Sequence, residues 1–316
     1  MVWDRVIPVG RPAVEGWGGL GYAIVAASVS AAPGWTVRPL ARVGRDRARD
    51  VERFFAEVES DLGGTPIDTS GLVVVDEPNN AVELRYHDSA ERVETLTGGV
   101  GPWTEHDVLA AVDGVDALLV NFISGFELTH DVLSAVRGAV SGPMYGDLHS
   151  LFLGIDADGR RFPRPLPNPG RWMACFDVVQ MNEAEATLVE EALPAVARDE
   201  APTSALSLAH SAGCAAAVVT LGGAGVRWSH GAGRGRLPGG RSDGARRVDG
   251  SVTIRALADG DPTGCGDVWG GACFARLVAG DPLDVAAEYA TRVATINVGT
   301  NTAEGLTTRL VNEGER

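Results

Sequence analysis

The chain has 316 residues, 45% of them hydrophobic, with 42 acidic against 27 basic side chains and a formal net charge of −15. That is enough apolar material for a full core in one large α/β domain, while the acidity excludes nucleic acid as the main partner, because a phosphate backbone needs a basic face. All 27 basic residues are arginine, which excludes a P-loop lysine, a pyridoxal Schiff base and a lysine aldolase together.

No apolar run approaches the length of a membrane span, and no basic segment with an apolar stretch follows Met1, so no membrane partner and a cytoplasmic location are expected. Cys175, Cys214, Cys265 and Cys273 form no CxxC pair and no zinc-like spacing with the histidines; a reduced compartment fits them best.

In chain order, Gly18-Gly19 opens a small-residue helix. The runs Thr36–Val43, Gly71–Val75, Ala117–Phe122, Pro143–Tyr145, Asp177–Met181 and Ala215–Leu221 then read as strands. Asp46–Leu62, Glu105–Val112, Thr129–Val140, Glu183–Leu193 and Thr203–Ala212 read as helices between them. Such alternation predicts a mostly parallel sheet with helices on both faces, a three-layer α/β/α sandwich. Asn80–Tyr86 and Arg92–Thr97 alternate polar and apolar residues as a half-exposed hairpin would. They predict a small β-lid, built from about residues 5–17 and 79–98, on one domain spanning 1–316. Ser229–Gly250, crowded with Gly and Arg, reads as a surface loop between two strands. Gly264–Val278 and Pro282–Asn301 carry Ala, Val, Leu and Ile at helical spacing. Gly280 would end the first, and Asp281-Pro282 would open the second.

The chemistry concentrates in Asp261-Pro262-Thr263-Gly264-Cys265-Gly266-Asp267, which follows the strand-like run Val252–Ala256 and opens a long helix. Gly264 and Gly266 allow a tight turn, so consecutive N–H groups can converge at the positive end of the helix dipole. Asp267 falls in the first helical turn. On spacing alone it fits a helix cap and a catalytic base equally well. A carboxylate beside an anion cradle is where a base for an attacking hydroxyl would be needed.

This stretch resembles the C-terminal signature D-x-T-G-A-G-D of the ribokinase-like, or PfkB, carbohydrate kinases, with Cys265 in place of the alanine. The resemblance implies that Gly264, Cys265 and Gly266 form an anion hole and that Asp267 is the base. Asn182-Glu183-Ala184-Glu185 is similar to the family's N-x-x-E motif, implying that Asn182 and Glu185 organise Mg²⁺ through water. Thr220, Gly222, Gly223 and Gly225 match its strand-and-turn segment lining the ATP site. Gly18-Gly19 and Val43-Gly44-Arg45-Asp46 resemble its substrate segment, and Asp4 its substrate-binding aspartate. Asp261 and Thr263 match positions near a monovalent-cation site, which would hold K⁺.

The chain departs from the pattern in two places. Ala23 stands where the family has a substrate asparagine, with Tyr22 before it, so Tyr22 either stacks on the substrate or points into the core. Only three residues precede Asp4, where the family has an opening core strand; either that strand is missing or the true start lies upstream. Glu83, Arg85 and Arg92 on or near the lid, and Asn121 and Asp147 at the ends of core strands, are candidate substrate contacts by resemblance of position, though each reads more readily as a surface or turn residue.

The resemblance therefore implies an ATP-dependent kinase acting on a hydroxyl of a small sugar, inositol-like polyol or nucleoside, with a homodimer through the lid. The alternative is a non-catalytic ligand-binding relative of the same fold. A nicotinamide-dependent oxidoreductase, which the α/β pattern alone would permit, is disfavoured because no G-x-G-x-x-G has an acidic residue about 20 residues beyond it.

Overall fold

A computed structural model describes residues 1–62, 65–86, 92–194, 201–231, 247–254, 260–300 and 302–313. The apolar runs assemble into a six-stranded sheet. Its order is β14 (Val248–Val252), β13 (Val226–His230), β12 (Ala216–Thr220), β11 (Val178–Asn182), β8 (Met144–Asp147), β7 (Leu118–Asn121). From β7 to β12 the strands are parallel, and β13 and β14 close one edge antiparallel.

Successive side chains on a strand point to opposite faces, so each strand feeds two cores. Tyr145, Val178, Ala216 and Val218 join one core with helices α1 (Leu20–Ser30), α2 (Ala48–Asp61), α8 (Cys265–Val278), α9 (Leu283–Asn297) and α10 (Ala303–Glu313). Met144, Val179, Ala217 and Val219 join the other. There they meet α3 (Glu105–Ala111), α4 (His130–Ala139), α5 (Pro169–Met173), α6 (Glu183–Glu191) and α7 (Ala201–Ala212). The result is the expected three-layer α/β/α sandwich. Among the described residues no helix is long and apolar enough to cross a membrane.

The lid is a four-stranded sheet ordered β2 (Val14–Trp17), β1 (Trp3–Ile7), β5 (Ala81–Tyr86), β6 (Arg92–Thr97). Its inner face is apolar: Val6, Val82 and Leu84 pack with Val2 in a small cluster of their own. A short hairpin, β9 (Leu153–Ile155) with β10 (Arg161–Pro163), meets the lid through a bridge between Thr95 and Arg160.

The parallel pair β3 (Ala41–Gly44) and β4 (Leu72–Val75) stands apart from the main sheet. Leu118 N and Phe122 N turn toward β8, donating to Pro143 O and Asp147 O, so the intervening Leu119 and Asn121 amides face away from it. On that side a groove of about 680 Å³ lies between β7 and the approach to β3, lined by Leu40, Leu118, Leu119, Ala23, Ile24 and Ala27. The Met1 amine donates to Arg42 O at 2.8 Å. Burial lowers its pKa to about 6.

Two elements differ from the sequence expectation. The strand expected over Thr36–Val43 begins only at Ala41, with Val37 making an isolated bridge to Ile67; Pro39 has no N–H to donate to a ladder. The helix expected over Pro282–Asn301 ends at Asn297, because Gly299 turns left-handed at φ 81° and α10 follows. Of the arginines in the glycine-rich loop, Arg234, Arg236, Arg241 and Arg246 lie outside the described residues.

Candidate active site

The C-terminal ends of β8, β11 and β12, the N-terminus of α8 and the inner face of the lid enclose a cavity of about 520 Å³. Open α/β sheets characteristically bind ligands there. Asp4, Gly19, Asp147, Asn182, Glu185, Thr220, Gly222, Gly223, Gly225 and Thr263–Asp267 all line it. The motifs at Asn182–Glu185, Thr220–Gly225 and Thr263–Asp267 thus converge on one place with Asp4 and Gly19, while Val43–Asp46 does not line it.

The turn before α8 is held from three directions. Asp261 Oδ1 accepts from Thr263 N at 2.9 Å and Thr263 Oγ1 at 2.7 Å. Asn297 Nδ2 donates to Thr263 O at 2.8 Å. From the lid, Tyr86 OH donates to Asp261 Oδ1 at 3.0 Å and lies 3.1 Å from Thr263 Oγ1. The two residues expected beside a potassium site therefore also lace the turn and tie the lid to it. Gly264, at φ 78°, caps the helix in the left-handed region, where a Cβ would meet the Tyr22 ring at 2.5 Å. Cys265 N is drawn back onto Pro262 O at 3.0 Å, while Val268 N already pairs with Gly264 O. The N–H of Gly266 has no backbone partner among the described bonds, while that of Asp267 turns to its own carboxylate.

Tyr22 requires a correction. It is fully buried in the core beneath Gly264 and has no place on the cavity wall. Its role is to support the turn, with its hydroxyl left unpartnered. Gly18 works in the same way from the other side: a Cβ there would sit 1.7 Å from Asp4 Oδ2, so only glycine lets the Asp4 carboxylate approach. Glu83 and Arg85 are corrected as well. They point outward, paired with each other at 2.7 Å, and Glu83 also holds Arg5 at 3.0 Å. Their neighbours Val82 and Leu84 face the cavity. β5 has two faces, and the apolar one turns inward.

Asp267 accepts a hydrogen bond from Asn121 Nδ2 at 2.8 Å, from the end of β7. Burial raises its pKa, against the nearby His149 charge and the Asn121 bond, which lower it. Asp147 is pushed up to about 8, by burial first and the Asp267 charge second. It accepts from Gln180 Nε2 at 3.2 Å and His149 N at 3.3 Å, both longer than the Asn121 bond. Donors are thus aimed most closely at Asp267, which favours the charged form there over Asp147, while the charge on one carboxyl opposes ionisation of the other.

Asn182 and Glu185 form a capping box at the start of α6. Asn182 Oδ1 accepts from Glu185 N at 2.9 Å, and Glu185 Oε2 accepts from Asn182 N at 2.7 Å. Glu185 Oε1 also takes Asn182 Nδ2 at 2.6 Å and His149 Nδ1 at 2.8 Å. Both oxygens are engaged, and among the described residues no group of three or more His, Cys, Asp or Glu could hold a metal ion. These residues fit the hydration shell of Mg²⁺ rather than direct coordination. Gly222 and Gly223 present exposed backbone without side chains at the end of β12, a floor open to close approach by a nucleotide.

Sequence reasoning missed two polar residues here. Gln180, buried within the apolar run of β11, accepts from Tyr145 OH at 2.7 Å and donates to Gly266 O at 2.9 Å, so it fixes the peptide that carries Asp267 N. A glutamine inside a parallel-strand run was itself a signal, since buried polar groups need partners. His149, two residues beyond Asp147, is the other.

Residues 163–308 match the family model described as pfkB family carbohydrate kinase. No curated protein matches the chain. Among solved structures, it resembles a pyrophosphate-dependent kinase of the ribokinase family complexed with a pyrophosphate analog and myo-inositol. The identity is 17% over 96% of both chains, with a TM-score of 0.70. It also resembles Arabidopsis thaliana ribokinase complexed with ribose and ATP, at 17% identity over 98% of this chain and 94% of that one, TM-score 0.63. Burkholderia thailandensis nucleoside kinase in complex with inosine matches at 15% identity over 94% and 88%, TM-score 0.63. At these identities the likeness is one of fold.

Proposed function

We propose, from the match of residues 163–308 to the pfkB family carbohydrate kinase model and from the ribokinase-like fold, that the chain is a kinase of this family that transfers the γ-phosphoryl group of ATP to a hydroxyl of a small sugar, polyol or nucleoside. The observation that carries this reading is Asp267, held by Asn121 at the head of α8 beside the Gly266 N–H, which has no backbone partner among the described bonds.

The acceptor enters beneath Val82 and Leu84, with Asp4 and Asp147 offered to its hydroxyls. The Asn121 bond favours the charged form of Asp267 and leaves it as the base. As the hydroxyl attacks, Asp267 takes its proton, and charge developing on the phosphoryl oxygens falls against the fixed N–H of Gly266. Asn182 and Glu185 would hold hydrated Mg²⁺, which neutralises polyphosphate charge when bound. The lid, tied to the turn through Tyr86, keeps water from competing with the acceptor.

The Asn121 bond lowers the Asp267 pKa, so its loss has a signed consequence. In Asn121→Ala, Asp267 holds its proton to higher pH, and the acid limb of kcat/KM moves upward. A pH–rate profile unmoved from wild type would show that Asn121 does not tune the base.

Donor choice is open to the same assay. Because some of the similar folds belong to pyrophosphate-dependent kinases, initial rates are to be compared with ATP and with pyrophosphate, using myo-inositol, ribose and inosine as acceptors. ATP-driven turnover with one acceptor class supports the reading. Acceptor-independent ATP loss contradicts it.

A further inference from the structure

The register of the lid strands decides which side chains look into the cavity, because residues paired across neighbouring strands share a face. Asp4 pairs with Val82 and Val82 with Leu96; in the next row Val6 pairs with Leu84 and Leu84 with Glu94. Val6, Val82, Leu84 and Leu96 belong to one apolar cluster. Asp4 and Glu94 therefore share the inner face with them, on β1 and β6, with β5 between. Both carboxylates line the cavity, as do Val82 and Leu84. The inner lid is an apolar patch with an acidic group at each of two diagonal corners.

A carboxylate on an apolar face gives up hydration, a cost that a cation or a ligand must offset. The Glu94 side chain is 15% exposed, and Arg161, 4% exposed, faces it at 3.7 Å. Arg161 is itself anchored, donating through Nη2 to Ile123 O at 2.9 Å and to Ser150 Oγ. The bridge between Thr95 and Arg160 pins the β6 backbone to the same hairpin. Glu94 is thus held in place on the cavity wall with its charge balanced from behind. A carboxylate only accepts hydrogen bonds. Asp4, Glu94 and Asp147 all line the cavity, and together they suit a ligand rich in hydroxyl hydrogens and oppose one that brings negative charge. A ring polyol has both surfaces this wall asks for: apolar C–H faces and a rim of hydroxyls.

Resting on the reading of this cavity as a phosphotransfer site, we propose that Glu94 is a specificity-determining residue whose carboxylate accepts a hydroxyl of a neutral ring polyol, a sugar or cyclitol, lying with its C–H face on Val82 and Leu84. Asp4 takes a hydroxyl on the opposite side of the ring. Acceptors carrying a carboxylate or phosphate meet like charge. Acceptors lacking the hydroxyl leave Glu94 without its donor, a penalty that an apolar wall does not impose.

The test is equilibrium binding to the full chain, followed by calorimetry, of myo-inositol, ribose, glucose and glucuronate. The last two differ in charge on the same ring. Wild type is expected to favour its tightest neutral ring over glucuronate by about tenfold or more. Glu94→Gln keeps the shape and removes the charge, so that ring should bind about tenfold more weakly, while glucuronate holds or tightens. Glu94→Asp keeps the charge near Arg161 but withdraws it by one methylene. It should weaken the neutral ring without helping glucuronate, and it carries the test if Glu94→Gln does not fold. ATP affinity should stay within about twofold in both variants, as for a separate site. A wild type that binds no neutral ring, or binds glucuronate as tightly, overturns the proposal, as does neutral-ring affinity unchanged in either variant. Uniform loss across all four ligands together with weakened ATP binding makes Glu94 a strut of the lid and also overturns it. Phosphorylation is scored on the same samples. The expected Glu94 dependence of binding with no phosphorylation supports this assignment and removes the phosphotransfer reading, whereas phosphorylation with kcat/KM undiminished in Glu94→Gln removes the proposal alone.

Discussion

Asp267→Asn is expected to lower kcat by about 10²- to 10⁴-fold, the range of a lost general base, with little change in acceptor KM. The substitution keeps size and shape, and an amide can still meet Asn121 after a flip of one side chain. What disappears is the capacity to take the acceptor's proton. Stability should behave in the opposite sense to activity. The carboxylate is buried and its pKa is raised, so a neutral group in its place relieves desolvation. The thermal midpoint should therefore hold or rise while turnover collapses. A variant that keeps wild-type kcat would assign Asp267 to capping α8 and move the base elsewhere.

The second large effect is expected at Gly264. Alanine there must adopt φ 78° and bring its Cβ to 2.5 Å from the Tyr22 ring. Tyr22 is fully buried in the core and cannot swing aside, so the turn must yield. Left-handed strain alone costs about 1–3 kcal/mol. Displacing the Gly266 N–H should cost kcat a further 10²–10³-fold or so, the scale of a lost oxyanion donor. Chemical denaturation and initial rates would both register the change. Normal turnover with reduced stability alone would show that the turn supports the fold but not the chemistry.

The two predictions differ in what made them legible. Gly264 and Asp267 were readable because a turn with convergent N–H groups constrains residue type directly, and the Asn182–Glu185 capping box follows from spacing alone. Other features have no such local signature. Helix α1 is buried on nearly every side, so periodicity could not tell whether Tyr22 faced ligand or core. β5 alternates cleanly, yet alternation does not say which face turns inward; Glu83 and Arg85 stayed open between surface and substrate, and packing turned Val82 and Leu84 inward. His149 gains its meaning only when β8 and α6 are brought side by side, since its partner Glu185 lies 36 residues away. The division of the main sheet from β3 and β4 was equally hidden, because pairing between strands distant in sequence is a property of the assembled fold.

The measurement closest to the central claim is direct detection of product: the wild-type chain incubated with Mg²⁺, ATP and each of myo-inositol, ribose and inosine, then followed by ³¹P NMR. The account predicts a new phosphomonoester signal with one acceptor class, matched by ADP and absent in Asp267→Asn. Binding of ATP and an acceptor with no phosphomonoester under any condition would contradict it, and would identify the chain as a ligand-binding relative that has kept the fold without the transfer.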